Sequence, residues 1–172
     1  NLLPVFSAKF ASYGSITATL QQACGNETKM FVTFLSLKQL ELMHQTEAIG
    51  DEYDFARFSH VDIRQEPSEP TPQKTVYAYL SRKGVFTIGG HQFSLDSRSA
   101  LTNGFSHRSQ ITMLTQARDL LSPQEELDHF ILKNITEEKV RRANNALLRK
   151  FSQPFSGGNT ELVRESPSSL FY

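Results

Sequence analysis

Glu47 is the residue whose setting most suggests chemistry. Leu37, Leu40, Met43, His44 and Glu47 recur at intervals of three and four, which puts them on one face of a helix. That helix presents a carboxylate at the edge of an apolar face. A carboxyl group partly withdrawn from water holds its proton more tightly and becomes useful for proton transfer. The alternative is a glutamate that merely ends a helix in solvent, the usual place for that residue type. Other chemistry is thinly represented. Cys24 sits in the turn-like stretch Ala23-Cys24-Gly25-Asn26 with no neighbouring histidine to activate it. His60 and Asp62 are two apart on an expected strand and can face one side, but a lone pair reads as surface polarity rather than a metal site. Walker A, dinucleotide, G-x-S-x-G, H-E-x-x-H and C-x-x-C patterns are absent, so neither a metal nor a cofactor is expected.

The elements that must position these groups follow from periodicity. Val5 to Phe10 reads as a strand, and Ala11-Ser12-Tyr13-Gly14 as a turn. Ile16, Ala18 and Leu20 then alternate with Thr17, Thr19 and Gln21, which predicts a half-buried strand. The apolar run Met30 to Leu35 suits a central strand covered on both faces. Ser36, with Gln39 three residues on, forms a capping box that starts the helix carrying Glu47. Phe58 to Arg64 and Thr75 to Ser81 are further strands, separated by the proline-rich linker Glu66 to Gln73. Gly89-Gly90 between Val85–Ile88 and His91–Leu95 predicts a two-residue hairpin.

The second half reads as helical. One helix is expected over Ile111 to Leu121 and another from the start signal Ser122-Pro123-Gln124-Glu125, with Leu127, Phe130 and Ile131 buried. A last helix is expected after a Thr136 cap, with Val140, Ala143, Leu147 and Phe151 inward. Its basic run (Lys139, Arg141, Arg142, Arg149, Lys150) is balanced by Glu137 and Glu138 and reads as a solvated face. The expected fold is α+β, one domain over residues 1–152 with strands in 1–95 and helices in 109–152. Residues 153–172, rich in Ser, Gly and Pro, are expected to be a tail whose apolar end, Leu170-Phe171-Tyr172, docks back.

Charge narrows the partners. Eighteen Lys and Arg balance 18 Asp and Glu, with a pI near 7.2, which points to neither nucleic acid nor an anionic membrane surface. No apolar run reaches the roughly 18 residues of a membrane span. One cysteine cannot form an internal disulfide, which favours a reducing, cytoplasmic compartment. Asn26-Glu27-Thr28 and Asn134-Ile135-Thr136 match the glycosylation sequon but read as chance in that setting.

The order of these elements resembles the γ-glutamylcyclotransferase-like family. The matching stretches are Ile16-Thr17-Ala18-Thr19-Leu20, Met30 to Leu35, Leu42-Met43-His44-Gln45-Thr46-Glu47, Glu52-Tyr53-Asp54-Phe55-Ala56-Arg57 and Val76-Tyr77-Ala78-Tyr79-Leu80. The resemblance spans about 75 residues, from Val5 to Leu80, and rests on the order of short motifs. It implies a small mixed β-barrel with a helical C-terminal half. It also implies that Glu47 is the catalytic base and that Tyr53, His44 and Tyr79 bind a small-molecule substrate, a γ-glutamyl or similar amide. His44 stands where the family motif has Asp, and Ala48 where it has Gly. Tyr13-Gly14-Ser15-Ile16 lies too near Met30 to be the family's Y-G-S-N loop and fits the later turn. The resemblance therefore implies that an upstream segment or a partner completes the barrel. A non-catalytic ligand-binding or protein-interaction module on the same barrel is the alternative.

Overall fold

The computed structural model describes residues 2–25, 28, 30–61, 74–95, 106–156 and 160–162. In chain order its elements are β1 (Leu2–Phe10), β2 (Ile16–Gln22), α1 (Leu37–Thr46), β3 (Tyr53–Val61), β4 (Lys74–Ser81), β5 (Val85–Ile88), β6 (His91–Ser94) and β7 (Ser106–His107). There follow α2 (Gln110–Leu121), α3 (Leu127–Thr136), α4 (Glu138–Leu148), a 3-10 turn over Arg149–Phe151, β8 (Ser152–Gln153) and β9 (Thr160–Leu162). The class is α+β. The chain divides into two compact units, one made of residues 1–29 and 83–156, the other of 30–82 and 157–172. Each unit holds one sheet, and among the described residues neither sheet closes into a barrel.

In the first unit β1 is the hub. It pairs antiparallel with β2 from Leu2↔Gln22 to Phe6↔Ala18 and again at Phe10↔Ile16, with an irregularity between. It also meets β5 at Ser7↔Val85 and β6 at Val5↔Ser94. Strand alternation sends Phe6, Ala8 and Phe10 to one face, where they pack with Ile16, Phe86 and Phe93 against Met113, Leu114, Ala117, Phe130 and Leu148 of the helices. Phe10 meets Phe130 edge-on, with centroids 5.4 Å apart. Each such large side chain contributes roughly 1.5–3 kcal/mol on leaving water. The Gly89-Gly90 hairpin forms as expected, both glycines having positive φ (57° and 81°) between Ile88 and its partner His91. Gly84 answers a different need, because a Cβ there would lie 2.5 Å from the Gln153 carbonyl oxygen.

Three expectations are corrected in this unit. On β2 Ile16 is buried as expected, but Thr17, Thr19 and Gln21 on the other face are buried too and Ala18 is exposed. Burial is affordable because Thr17 Oγ1 donates to Ser7 Oγ at 3.1 Å and Gln21 Nε2 to Ser156 Oγ at 2.6 Å. Helix α3 begins at Leu127 instead of Pro123, since Ser122 to Glu125 closes as a turn (Glu125 N–H to Ser122 O, 2.9 Å) that Arg118 secures through the Glu125 carbonyl. Thr136 belongs to the end of α3, its hydroxyl donating to Leu132 O, and the face of α4 is rotated. Asn144 and Leu148 are buried, whereas Ala143 and Leu147 are exposed.

Hydrogen bonds explain the rotation. Asn145 brackets the Phe10 peptide groups, its Oδ1 accepting from Phe10 N at 2.7 Å and its Nδ2 donating to Phe10 O at 3.2 Å. Asn144 Nδ2 donates to Asn134 Oδ1 at 3.1 Å, and Arg141 donates to the carbonyls of Asn134 and Ile135 at the end of α3. These bonds satisfy β1 and helix-end groups that apolar side chains would leave unpaired.

In the second unit β3 is central, antiparallel to β4 from Tyr53↔Ser81 to Phe58↔Val76 and to β9 at Ala56↔Leu162. Its strand begins at Tyr53, five residues before the expected Phe58. Residues 62–73, which include Asp62, the end of the expected strand and the linker, lie outside the described residues, as does Leu170–Tyr172. The apolar run Met30 to Leu35 is not a strand. It belongs to none of the described strands, and Met30, Phe31, Val32 and Phe34 are exposed. An apolar run makes a central strand only where two neighbours hydrogen-bond to it, and among the described strands none does. No helix among the described residues is long and apolar enough to cross a membrane.

The rotated face of α4 is testable by denaturant unfolding. Asn145→Ala, which strands two peptide groups, is expected to lower stability by about 1–3 kcal/mol. Leu147→Ala, at an exposed position, is expected to change it by less than about 1 kcal/mol. A larger loss at Leu147 than at Asn145 contradicts the packing described.

Candidate functional site

The site grows from how α1 begins and ends. Ser36 caps its start with both halves of the capping box, Gln39 N–H reaching Ser36 Oγ at 3.4 Å and Ser36 N–H reaching Gln39 Oε1 at 2.8 Å. At its other end Glu47 is the C-cap, and the next residue, Ala48, takes a left-handed conformation (φ 48°). Ala48 N–H donates to Gln45 O and Ile49 N–H to His44 O, both at 3.3 Å, the paired bonds of a Schellman ending. The position normally filled by glycine is thus filled by alanine, at a cost.

The loop after the helix is then tied to the sheet. Asp51 and Glu52 N–H groups return to Ala48 O, and Gly50 N–H donates to Tyr53 O at 2.9 Å. From the end of β4, the Arg82 guanidinium donates to the Gly50 carbonyl, and Arg82 N–H donates to Glu52 O at 2.9 Å. Backbone bonds thereby fix the direction in which Glu47 leaves the helix.

On the sheet, alternation puts Tyr53, Phe55 and Arg57 of β3 on the same face as Tyr77, Tyr79 and Ser81 of β4, with Phe55 opposite Tyr79 in register. His44 packs on this face. Its ring stands edge-on to Phe55 (centroids 4.5 Å, 68°) and to Tyr79 (5.6 Å, 85°). Phe55 stacks in turn on Tyr77 at 5.1 Å, nearly parallel, and lies 5.3 Å from Tyr79. His44 Nδ1 and the Tyr79 hydroxyl are 2.7 Å apart. Burial lowers the His44 pKa below its ordinary 6.5, because the cation is harder to solvate there. The Tyr79 phenol is pushed up to about 12, first by burial and then by the negative charge of Glu47.

His44 and Tyr79 are therefore in direct contact, and the carboxylate of Glu47 acts on the same phenol. Tyr53 stands on the same sheet face at the start of β3, two residues before Phe55. Phe55 and Tyr77 were not singled out from the sequence, although they complete the aromatic cluster. Their signal lies in the paired alternations Tyr53/Phe55 and Tyr77/Tyr79, which acquire meaning only once the strand register is known. Among the described residues no group of three or more His, Cys, Asp or Glu side chains is arranged to hold a metal ion. Cys24 is exposed.

What the cluster offers chemically is an imidazole and a phenol in hydrogen-bond contact on an aromatic floor, with the charge of Glu47 acting on the phenol. No family model matches the chain, and neither a curated protein nor a solved structure matches it.

Ala48 supplies the check on this geometry. Glycine at that position removes the left-handed penalty of roughly 1–2 kcal/mol while adding up to about 1 kcal/mol of unfolded-chain entropy. Ala48→Gly is expected to raise the denaturation midpoint, for a gain of up to about 1 kcal/mol, and a lowered midpoint contradicts the helix ending described.

Proposed function

We propose that the protein is an acid–base enzyme of cyclotransferase type, cyclising a γ-glutamyl or related amide-linked amino-acid derivative and releasing an amine. The observation that carries the proposal is the 2.7 Å contact of His44 with Tyr79 on the helix that ends at Glu47, whose charge acts on the same phenol. The order of sequence motifs resembling the γ-glutamylcyclotransferase-like family supports it. With it go that family's barrel architecture, completed by a further segment or a partner, and a cytoplasmic location.

The chemistry asks little of the protein beyond folding the substrate and moving two protons from the attacking to the departing nitrogen. Glu47 takes a proton from the α-ammonium of the substrate. The freed nitrogen attacks the γ-carbonyl carbon, closing a five-membered ring and placing negative charge on the carbonyl oxygen. As the C–N bond to the leaving group breaks, Glu47 returns that proton to the departing nitrogen, and a second proton, lost by the ring nitrogen as it becomes the lactam N–H, passes by the same route to the released amine. The products are 5-oxoproline and the protonated amine, with atoms and charge conserved. Because attacking and attacked atoms belong to one molecule, holding the folded conformer replaces a bimolecular encounter. Tyr53, His44 and Tyr79 are proposed to hold that conformer, the Tyr79 phenol staying uncharged at neutral pH because its ionisation is pushed up to about 12.

A second function has one observation in its favour. Phe31 and Phe34 are strongly exposed beside α1, which suits a non-catalytic interaction module. A panel of γ-glutamyl amines and dipeptides, with 5-oxoproline followed by mass spectrometry, separates the two. Turnover is expected in the parent chain, and Glu47→Gln is expected to lower kcat/KM by about 10²–10⁴-fold, the usual value of a general acid–base group. Turnover that survives the substitution removes Glu47 from the mechanism. No turnover on any substrate, including in a chain extended upstream, favours the interaction module.

A further inference from the structure

Among the described strands β4 has one neighbour. It pairs with β3, β3 pairs on its other side with β9, and the far edge of β4 carries no strand. Which peptide groups face that edge follows from one bond. Arg82 N–H donates to Glu52 O at 2.9 Å, and residues 52 and 82 continue the register that sets Tyr53 opposite Ser81. In an antiparallel pair, opposite residues alternate between those that exchange hydrogen bonds and those whose N–H and C=O groups point away. Since 52 and 82 are of the first kind, Leu80, Ala78 and Val76 point at β3, and Ser81, Tyr79, Tyr77 and Thr75 point outward. The other side of β3 agrees, because Tyr53 is also of the outward kind and its carbonyl accepts from Gly50 N–H at 2.9 Å, away from β4.

The outward N–H and C=O groups of Thr75, Tyr77 and Tyr79 have no hydrogen-bond partner among the described residues. Proteins ordinarily blunt such an edge with a charge, a proline or a bulge. Thr75 to Ser81 contains neither a charged residue nor a proline, and its register against β3 is unbroken from Tyr53↔Ser81 to Phe58↔Val76. Thr75 is exposed and Val76 to Tyr79 are half-buried, so the edge is open to an added strand.

We propose that the outer edge of β4 is a dimerisation site, to which β4 of a second copy of this chain adds antiparallel with Tyr77 opposite its own counterpart. The occupant is a second copy because the edge is complementary to itself. Outward residues can bond only to outward residues, so a two-fold axis at Tyr77 sets Thr75 against Tyr79, Tyr77 against Tyr77 and Tyr79 against Thr75. Each of these pairs exchanges two bonds, about six in all. The axis uses the three unpaired positions and leaves out Ser81, which is buried. Between them Val76 stands opposite Ala78, and the stretch sets no charge against a like charge. The two three-stranded sheets become one of six, and the stack of Phe55 on Tyr77 at 5.1 Å continues across the axis. One strand pair buries less than a standard interface, so the dimer is weak and concentration-dependent. It does not depend on the cyclotransferase function.

Sedimentation of the full chain from micromolar to millimolar concentration tests the site. The parent chain is expected to pass from monomer to dimer, and in ¹H–¹⁵N spectra the Thr75, Tyr77 and Tyr79 amides are expected to shift with concentration more than those of Val76 and Ala78. Tyr77→Lys and Tyr77→Glu each set like charges opposite one another across the axis, and each alone is expected to stay monomeric where the parent is dimeric. Mixed in equal amounts, the two are expected to pair, which also shows that both are folded. Thr75→Pro removes an outward N–H while leaving the β3 ladder and the Phe55–Tyr77 stack in place, and it is expected to abolish the dimer as well. A parent chain that stays monomeric throughout, or a dimer that persists in Thr75→Pro, overturns the inference. A mixture of Tyr77→Lys and Tyr77→Glu that associates no better than either chain alone overturns the pairing at Tyr77.

Discussion

The candidate site of the second unit depends on where α1 stops. A ten-residue helix is marginal in water, and its last turn frays unless the free carbonyls there find donors. In this protein the Ala48 and Ile49 N–H groups take up the Gln45 and His44 carbonyls, and Arg82 fastens the following loop through Gly50 and Glu52. The residue that leaves the helix at that point is Glu47. Had the helix run one residue further, the chain would have left it about 100° further round, away from the start of β3 at Tyr53. The left-handed conformation of Ala48 is thus a local cost that ends the helix and turns the chain towards β3.

Polar side chains do comparable work in the first unit. Asn145 holds α4 to β1 through the Phe10 peptide groups, and the Asn134–Asn144 bond joins α3 to α4 beneath the surface. Apolar burial around Phe6, Phe10, Phe86 and Phe130 supplies driving force but is indifferent to small rotations of a helix. The amide bonds are not indifferent, since each has one geometry. The same division holds at the site, where Phe55 and Tyr77 supply a floor while the His44–Tyr79 bond fixes which edge of the imidazole faces the sheet.

Local signals were legible in the residues. The Ser36–Gln39 capping box, the Gly89-Gly90 hairpin and the alternation of Val76, Ala78 and Leu80 against Tyr77 and Tyr79 each follow from one short stretch, and each formed where expected. What failed was whatever depended on partners distant in the chain. Met30 to Leu35 has the composition of a central strand, but strands exist only through neighbours, and periodicity says nothing about those. On α4 the apolar stripe through Ala143 and Leu147 lost to Asn144 and Asn145, whose partners lie on α3 and β1. At the candidate site, the shared helix face of His44 and Glu47 was legible from their spacing alone. Phe55 and Tyr77 were not, because the register Phe55↔Tyr79 had to be known first.

The central claim is that the Glu47 carboxylate and the Tyr79 phenol share one environment, and the phenol itself can report it. An alkaline titration followed by tyrosinate absorbance, with Tyr79→Phe to identify the signal, locates the ionisation of Tyr79. In the parent chain it is expected near 12, and in Glu47→Gln, with the negative charge removed, it is expected to fall towards the ordinary 10.0 while burial holds it above that value. An ionisation of Tyr79 that is the same in both chains would contradict the account, because the carboxylate would then be acting elsewhere.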